Sequence, residues 1–136
     1  DAARRQGFDI LCAAEAANQY IDEHYNSRDD WMFTTFFLGT LDTVTGKVAY
    51  VNAGHIAPLL VRNGTVSRRL SPTGPALGLD ASFVIGRGAA TLLPGDTLVL
   101  YTDGLQYSSW RNIWSKAVRI ETCHCRNSKW NLGAAW

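Results

Sequence analysis

Phe8, Leu11, Ala14, Asn18, Ile21 and Tyr25 recur at spacings of three and four, the period of one helix face, and predict a helix over residues 8–25. Asn18 interrupts the apolar stripe. A bare buried amide is costly, so this side chain is expected at the stripe's margin or bonded to a neighbouring loop. NSRDD at 26–30 is a polar loop. MFTTFFLGTL at 32–41 predicts a strand, and its aromatic residues do not alternate, so both faces are expected to be covered. Thr45-Gly46 turns the chain, Val48 to Ala53 returns as the second arm of a hairpin, and Gly54-His55 breaks it. Residues 58–62 and 65–70 form a second hairpin around Asn63-Gly64, two residue types that tolerate positive φ. SPTGPALGLD at 71–80 reads as an ordered irregular loop. Phe83 to Leu92 predicts a strand interrupted near Gly86 and Gly88. Thr97 to Thr102 is a buried strand, set between the Pro94-Gly95 turn and Asp103-Gly104. One helix followed by a run of antiparallel strands predicts an α+β fold with an antiparallel β-sandwich core and flanking helices.

The pattern changes after Leu105. Trp110, Ile113, Trp114, Ala117 and Val118 follow helical spacing, with Arg111, Lys116 and Arg119 mostly on the other side. They predict a short amphipathic helix over 109–121, capped by Ser108 or Ser109. From Cys123 to Trp136 no period is readable. Charge changes at the same place: residues 1–105 carry 8 basic and 11 acidic side chains, whereas residues 106–136 carry 5 and 1, with four of the five tryptophans. The chain therefore divides into a core, 1–105, and a basic, Trp-rich tail, 106–136, expected to pack on the core or on a dimer partner.

At 136 residues this is one domain's worth of chain. Hydrophobic residues at 46% and charged residues at 18% place it among globular rather than disordered sequences. A net charge of +1 gives no electrostatic case for nucleic acid or a membrane surface, and no apolar run reaches the length of a membrane span. Three cysteines without regular spacing make no disulfide framework and fit a reducing compartment. With no signal peptide visible, a cytoplasmic location is expected.

Candidate chemistry is sparse. Asp103, at the end of a buried strand and beside a glycine, suits a hard cation such as Mg²⁺ or Mn²⁺. His55 in VNAGH is the general-base candidate, but a structural role, bonding a loop backbone, is favoured. Cys123-His124-Cys125 lacks the spacing and the second ligand pair of a zinc site and is read as free thiols in the tail. Arg68 and Arg69, adjacent in a strand, point to opposite faces and form a solvated edge rather than one basic patch.

Taken together, MFTTFFLGTLDTVTGKVAYVNAGH, PLLVRNGTVSRRLSPTGPALGL and LLPGDTLVLYTDGL resemble the bacterial serine phosphatase family of stage II sporulation protein E and the sigma-factor regulators, within the metal-dependent, protein phosphatase 2C-like superfamily. The likeness runs from about Leu11 to Leu105. It implies two antiparallel sheets packed face to face with helices outside. It also implies paired Mn²⁺ or Mg²⁺ ions that activate a water for direct attack on a phosphoserine or phosphothreonine, without a phosphoenzyme. Asp103 matches the metal-binding aspartate of the family's TDG motif.

Two parts of the pattern have no counterpart here: an upstream Asp-x-x-Gly-x-Gly element, and a downstream aspartate, since Glu121 is the only acidic residue after Leu105. The expectation is a truncated, catalytically inactive phosphatase-like domain that acts in binding or assembly and needs no cofactor. The alternative is an active phosphoserine phosphatase of a sigma-factor pathway, its site completed by another chain, with Asp1, Asp9, Asp29 and Asp30 as available donors. Exposed sheet surface and the tail are expected to pair two copies into a homodimer. A phosphoprotein is the other implied partner.

Overall fold

The computed structural model describes residues 9–26, 30–79 and 82–102, with the backbone of 118–121 and 131–134. Helix α1 spans Ile10–Tyr25 and starts at Asp9, whose carboxylate accepts the Leu11 amide proton at 2.9 Å. It buries Ile10, Ala14, Asn18 and Ile21 along one face. Asn18 bonds a loop, as expected: its Oδ1 accepts the Gly78 amide proton at 2.8 Å.

Among the described residues eight strands follow: β1 (Phe36–Leu41), β2 (Lys47–Ala53), β3 (Leu59–Arg62), β4 (Thr65–Arg69), β5 (Gly88–Thr91), β6 (Thr97–Leu100), β7 (Val118–Glu121) and β8 (Asn131–Ala134). They form two antiparallel sheets, ordered β1-β2-β5 and β4-β3-β6-β7-β8. The α+β sandwich expected from the sequence is what forms. Val51 and Ala53 of β2 face α1 and pack with Ile10, Ala14, Ile21, Leu77 and Ile85. Val48 and Tyr50, one position out of phase, face the second sheet and pack with Leu60, Leu70 and Leu98. β1 serves both layers, Phe36 and Leu38 toward α1, Phe37 and Leu41 toward the second sheet, which is why its apolar residues do not alternate. Gly88 lets β5 lie against Tyr50, because a Cβ there would overlap the tyrosine ring. Among the described residues no helix is long and apolar enough to cross a membrane.

The Asn63-Gly64 hairpin forms as read, with φ of 51° and 75° at the two turn positions. β4 is an edge strand with all five residues exposed, so Arg68 and Arg69 do lie on a solvated edge. Three expectations change. The first strand starts at Phe36, because Thr34 pairs its backbone with Leu77, donating at 3.0 Å and accepting at 2.9 Å. The strand expected over 83–92 is confined to 88–91; Gly86 instead donates to the Thr73 carbonyl at 2.9 Å. The tail helix expected over 109–121 is corrected at its end: 118–121 is strand β7, paired with β6, and β8 pairs with β7. Val-Arg-Ile-Glu is itself an alternating tetrad, and β6 offers it an open row of backbone groups. Residues 109–117 lie outside the described residues.

A half-buried ion pair closes one end of the second sheet. Arg62, ending β3, donates from Nε and Nη2 to the two oxygens of Asp96 at 2.9 and 2.7 Å. The Leu93 amide donates to the same carboxylate at 2.8 Å. Arg62 above all, and then the Leu93 amide, hold the Asp96 carboxyl below its ordinary value, against the opposing effect of burial. Asp96 is 2% exposed but Arg62 36%, so solvent screens part of the attraction.

At the opposite end the constraint is Asn52, which is fully buried. Its Nδ2 donates to the Leu70 carbonyl at 3.0 Å, and its Oδ1 accepts the His55 amide proton at 2.8 Å. Its backbone N–H donates to the Thr73 hydroxyl at 2.9 Å, and its carbonyl accepts from the Thr73 and Gly74 amides at 2.8 and 3.3 Å. One residue thus ties β2, the turn at 54–55 and the loop at 71–79 together.

Two outcomes follow. Asn52→Leu leaves a buried carbonyl and an amide unpaired, and should lower unfolding stability by about 3 kcal/mol, read as a lower urea midpoint at unchanged slope; an unchanged midpoint contradicts the role. Asp96→Asn should cost about 2 kcal/mol at pH 7. Because the folded-state pKa of Asp96 is lowered, its contribution is present above the unfolded value near 3.8 and lost as pH falls below it. The gap between wild type and Asp96→Asn should therefore close in acid; a gap constant from pH 7 to pH 3 contradicts this.

Candidate functional site at one end of the sandwich

The register gathers several strand ends. Phe36, which opens β1, lies opposite Ala53, which closes β2. Leu59, which opens β3, lies opposite Val99, next to the end of β6. The loop at 71–79 crosses the same end, bridged to Ala53 through Gly74 and to Thr34 through Leu77. Gly54 makes this closeness possible. Its φ is +64°, and a Cβ there would stand 2.9 Å from the Ala76 amide nitrogen. The family-like segments VNAGH and PTGPALG are therefore brought together by backbone geometry and by Asn52.

His55 stands at this end, half-buried, with Nδ1 at 3.2 Å from the Thr35 hydroxyl. Its amide is held by Asn52. The ring meets a side-chain hydroxyl rather than the loop backbone expected, and His55 thereby fastens the turn after β2 to the approach to β1. Thr34, Thr35 and Thr73 add hydroxyls to the same end; those of Thr34 and Thr73 bond the Thr35 carbonyl and the Asn52 backbone, and that of Thr35 meets His55.

Asp103, the metal ligand expected from the sequence, lies outside the described residues, as do Asp1, Asp29, Cys123, His124 and Cys125. β6 ends at Leu100, three positions before Asp103, so the strand leads toward this same end. Among the described residues there is no group of three or more His, Cys, Asp or Glu side chains that could hold a metal ion. Several carboxylates already serve the fold. Asp9 caps α1 and pairs with Arg87 at 2.9 Å. The Leu11 amide, more than Arg87, lowers its pKa. Asp42 accepts the Val44 and Thr45 amide protons at 2.9 and 3.2 Å in the β1–β2 turn. Asp96 belongs to Arg62. The described donor set therefore does not fit the paired Mn²⁺ or Mg²⁺ ions that the resemblance implies.

Sequence reading missed Asn52 and the Arg62–Asp96 pair. Asn52 sits in an apolar strand run and gives no periodic signal. Arg62 and Asp96 are 34 positions apart, and their one local sign is that each adjoins a Gly-containing turn.

Known proteins place this architecture. Protein IcfG of Synechocystis sp. is 34% identical over 96 residues, which is 71% of this chain and 15% of that protein. The chain thus spans about 15% of the length of that curated relative. The solved RsbU and RsbW domains of Rv1364c from Mycobacterium tuberculosis superpose with a TM-score of 0.59 at 29% identity, covering 79% of this chain and 30% of that one. The phosphatase domain of the cell fate determinant SpoIIE from Bacillus subtilis gives a TM-score of 0.46 at 18% identity, covering 80% of this chain and 48% of the other. The model of the stage II sporulation protein E (SpoIIE) family matches residues 1–129, and the chain belongs to that family.

Proposed function

We propose that this 136-residue chain is a phosphatase-family module that recognises a phosphoprotein in a sigma-factor pathway without hydrolysing it. Membership of the SpoIIE family and likeness to an RsbU-containing structure support the setting. The engagement of Asp9, Asp42 and Asp96 in helix cap, turn and ion pair, with Glu121 the one acidic residue between Leu105 and Trp136, supports the lack of hydrolysis. This second observation carries the proposal. Direct attack of water on a phosphomonoester needs the water activated and the phosphoryl charge neutralised, and dications do both in this superfamily. When bound, they supply that chemistry. What the described residues supply is a preformed polar rim, Thr35, His55 and Thr73, held by Asn52.

The test is turnover of a chromogenic phosphate ester with Mn²⁺, comparing wild type with Asp103→Ala. The same low background in both is expected. Turnover that Asp103→Ala abolishes overturns the proposal and favours a working phosphatase whose remaining carboxylates come from another chain.

A further inference from the structure

Among the described residues β5 is an edge strand: in the sheet β1-β2-β5 its one neighbour is β2. In an antiparallel ladder alternate residues bond the neighbour, and those between them turn their backbone groups outward. The Leu92 amide donates to the Gly46 carbonyl at 2.8 Å, which sets the phase. Gly88 and Ala90 therefore bond β2, and Ala89 and Thr91 direct their amides and carbonyls to the open side. β4, at one edge of the other sheet, offers a contrast. It carries Arg68 and Arg69, and its register with β3 shifts between Leu60 and Val61. Charges and bulges of this kind keep an edge from pairing. β5 has neither: it reads Gly-Ala-Ala-Thr, and its register with β2 is unbroken.

The open edge of β5 lies in a depression of about 570 Å³, lined by Ala89, Ala90 and Thr91 together with Lys47 and Arg68. Arg68 and Thr91 also line a second depression of about 330 Å³ with Arg62, so the two adjoin. Lys47 and Arg68 are exposed, and neither forms an ion pair with a described residue. The other charges nearby are engaged: Asp42 accepts the amide protons of its own turn, and Arg62 binds Asp96. The depression thus sets two free cations beside a row of outward-facing amides and carbonyls. An added strand satisfies that row, and carboxylates on the strand meet the cations. A second copy of β5 would bring the same two cations to the joint, so like charges oppose self-pairing there.

We propose that β5 is a docking edge for an extended acidic segment of a partner protein, which joins the sheet as a strand beside Ala89 and Thr91 and sets carboxylates against Lys47 and Arg68. Backbone bonds to the edge supply affinity, and the two cations select the charge of the segment. The depression lies at the opposite end of the β1–β2 hairpin from His55: Lys47 opens β2, whereas Ala53 closes it beside the turn at 54–55. Docking is therefore separate from the candidate site, and the proposal does not depend on whether the chain hydrolyses phosphoesters.

The test is fluorescence anisotropy of labelled peptides titrated with the full chain. The probes are a peptide of alternating threonine and glutamate, a matching peptide of threonine and lysine, and the glutamate peptide with its backbone nitrogens methylated. Wild type should bind the glutamate peptide saturably, about tenfold or more tightly than the lysine peptide. The methylated peptide keeps its charge but cannot join a ladder, and should not bind. Lys47→Glu with Arg68→Glu should reverse the preference between the two charged peptides, which a loss of folding cannot do. Thr91→Pro removes an outward N–H that the fold does not use. It should weaken the glutamate peptide by about tenfold, the scale of one lost hydrogen bond, with the far-ultraviolet circular dichroism unchanged. Absence of saturable binding overturns the proposal. So does equal binding of the methylated peptide, a preference that survives the charge reversal, or binding indifferent to Thr91→Pro.

Discussion

Asn52 is the residue on which the candidate site depends. A strand that ends beside an irregular loop leaves backbone amides and carbonyls without ladder partners, and buried groups of that kind must be paired. Asn52 is fully buried and pairs them from one position: the Leu70 carbonyl, the His55 amide, the Thr73 hydroxyl and the Thr73 and Gly74 amides. An amide side chain suits the task because it donates and accepts at once. Gly54 complements it by admitting the backbone of Ala76 where a side chain would collide. The loop at 71–79 is thereby a fixed part of the sandwich end, although it contains no strand.

Much of this was legible in the sequence, for identifiable reasons. The helix was readable because Ala14, Asn18 and Ile21 keep to one face of α1, although the helix starts at Ile10 rather than at residue 8, Ile10 rather than Leu11 is buried at its start, and Tyr25 is exposed. The second hairpin was readable because Asn63 and Gly64 announce their backbone angles chemically. The family was readable because several short segments stand in a distinctive order, although each alone is only a strand pattern. What was not legible depends on distance along the chain. Thr34 looks like part of a strand until Leu77, 43 positions later, takes its backbone bonds. Arg62 gives no sign that its partner is Asp96. At Val118–Glu121 a helical stripe and an alternating tetrad overlap, and the open edge of β6 decides in favour of the strand.

The carboxylates show how the same residue type divides between structure and chemistry. Asp9, Asp42 and Asp96 each accept backbone amide protons, and two of them also bind an arginine. A carboxylate satisfied in this way is a poor candidate for a metal cage, because the oxygen lone pairs a cation needs are already engaged. The hydroxyl-bearing rim around His55 remains as the polar surface at this end of the sandwich. In this account the family's fold persists in the chain, while the described residues do not carry the family's cation chemistry.

Calorimetric titration of Mn²⁺ into the chain tests that claim most directly. The account predicts no saturable, stoichiometric heat, with the thermal unfolding midpoint unmoved by the metal. Stoichiometric binding that disappears in Asp103→Ala, accompanied by a metal-dependent rise in the midpoint, would contradict it.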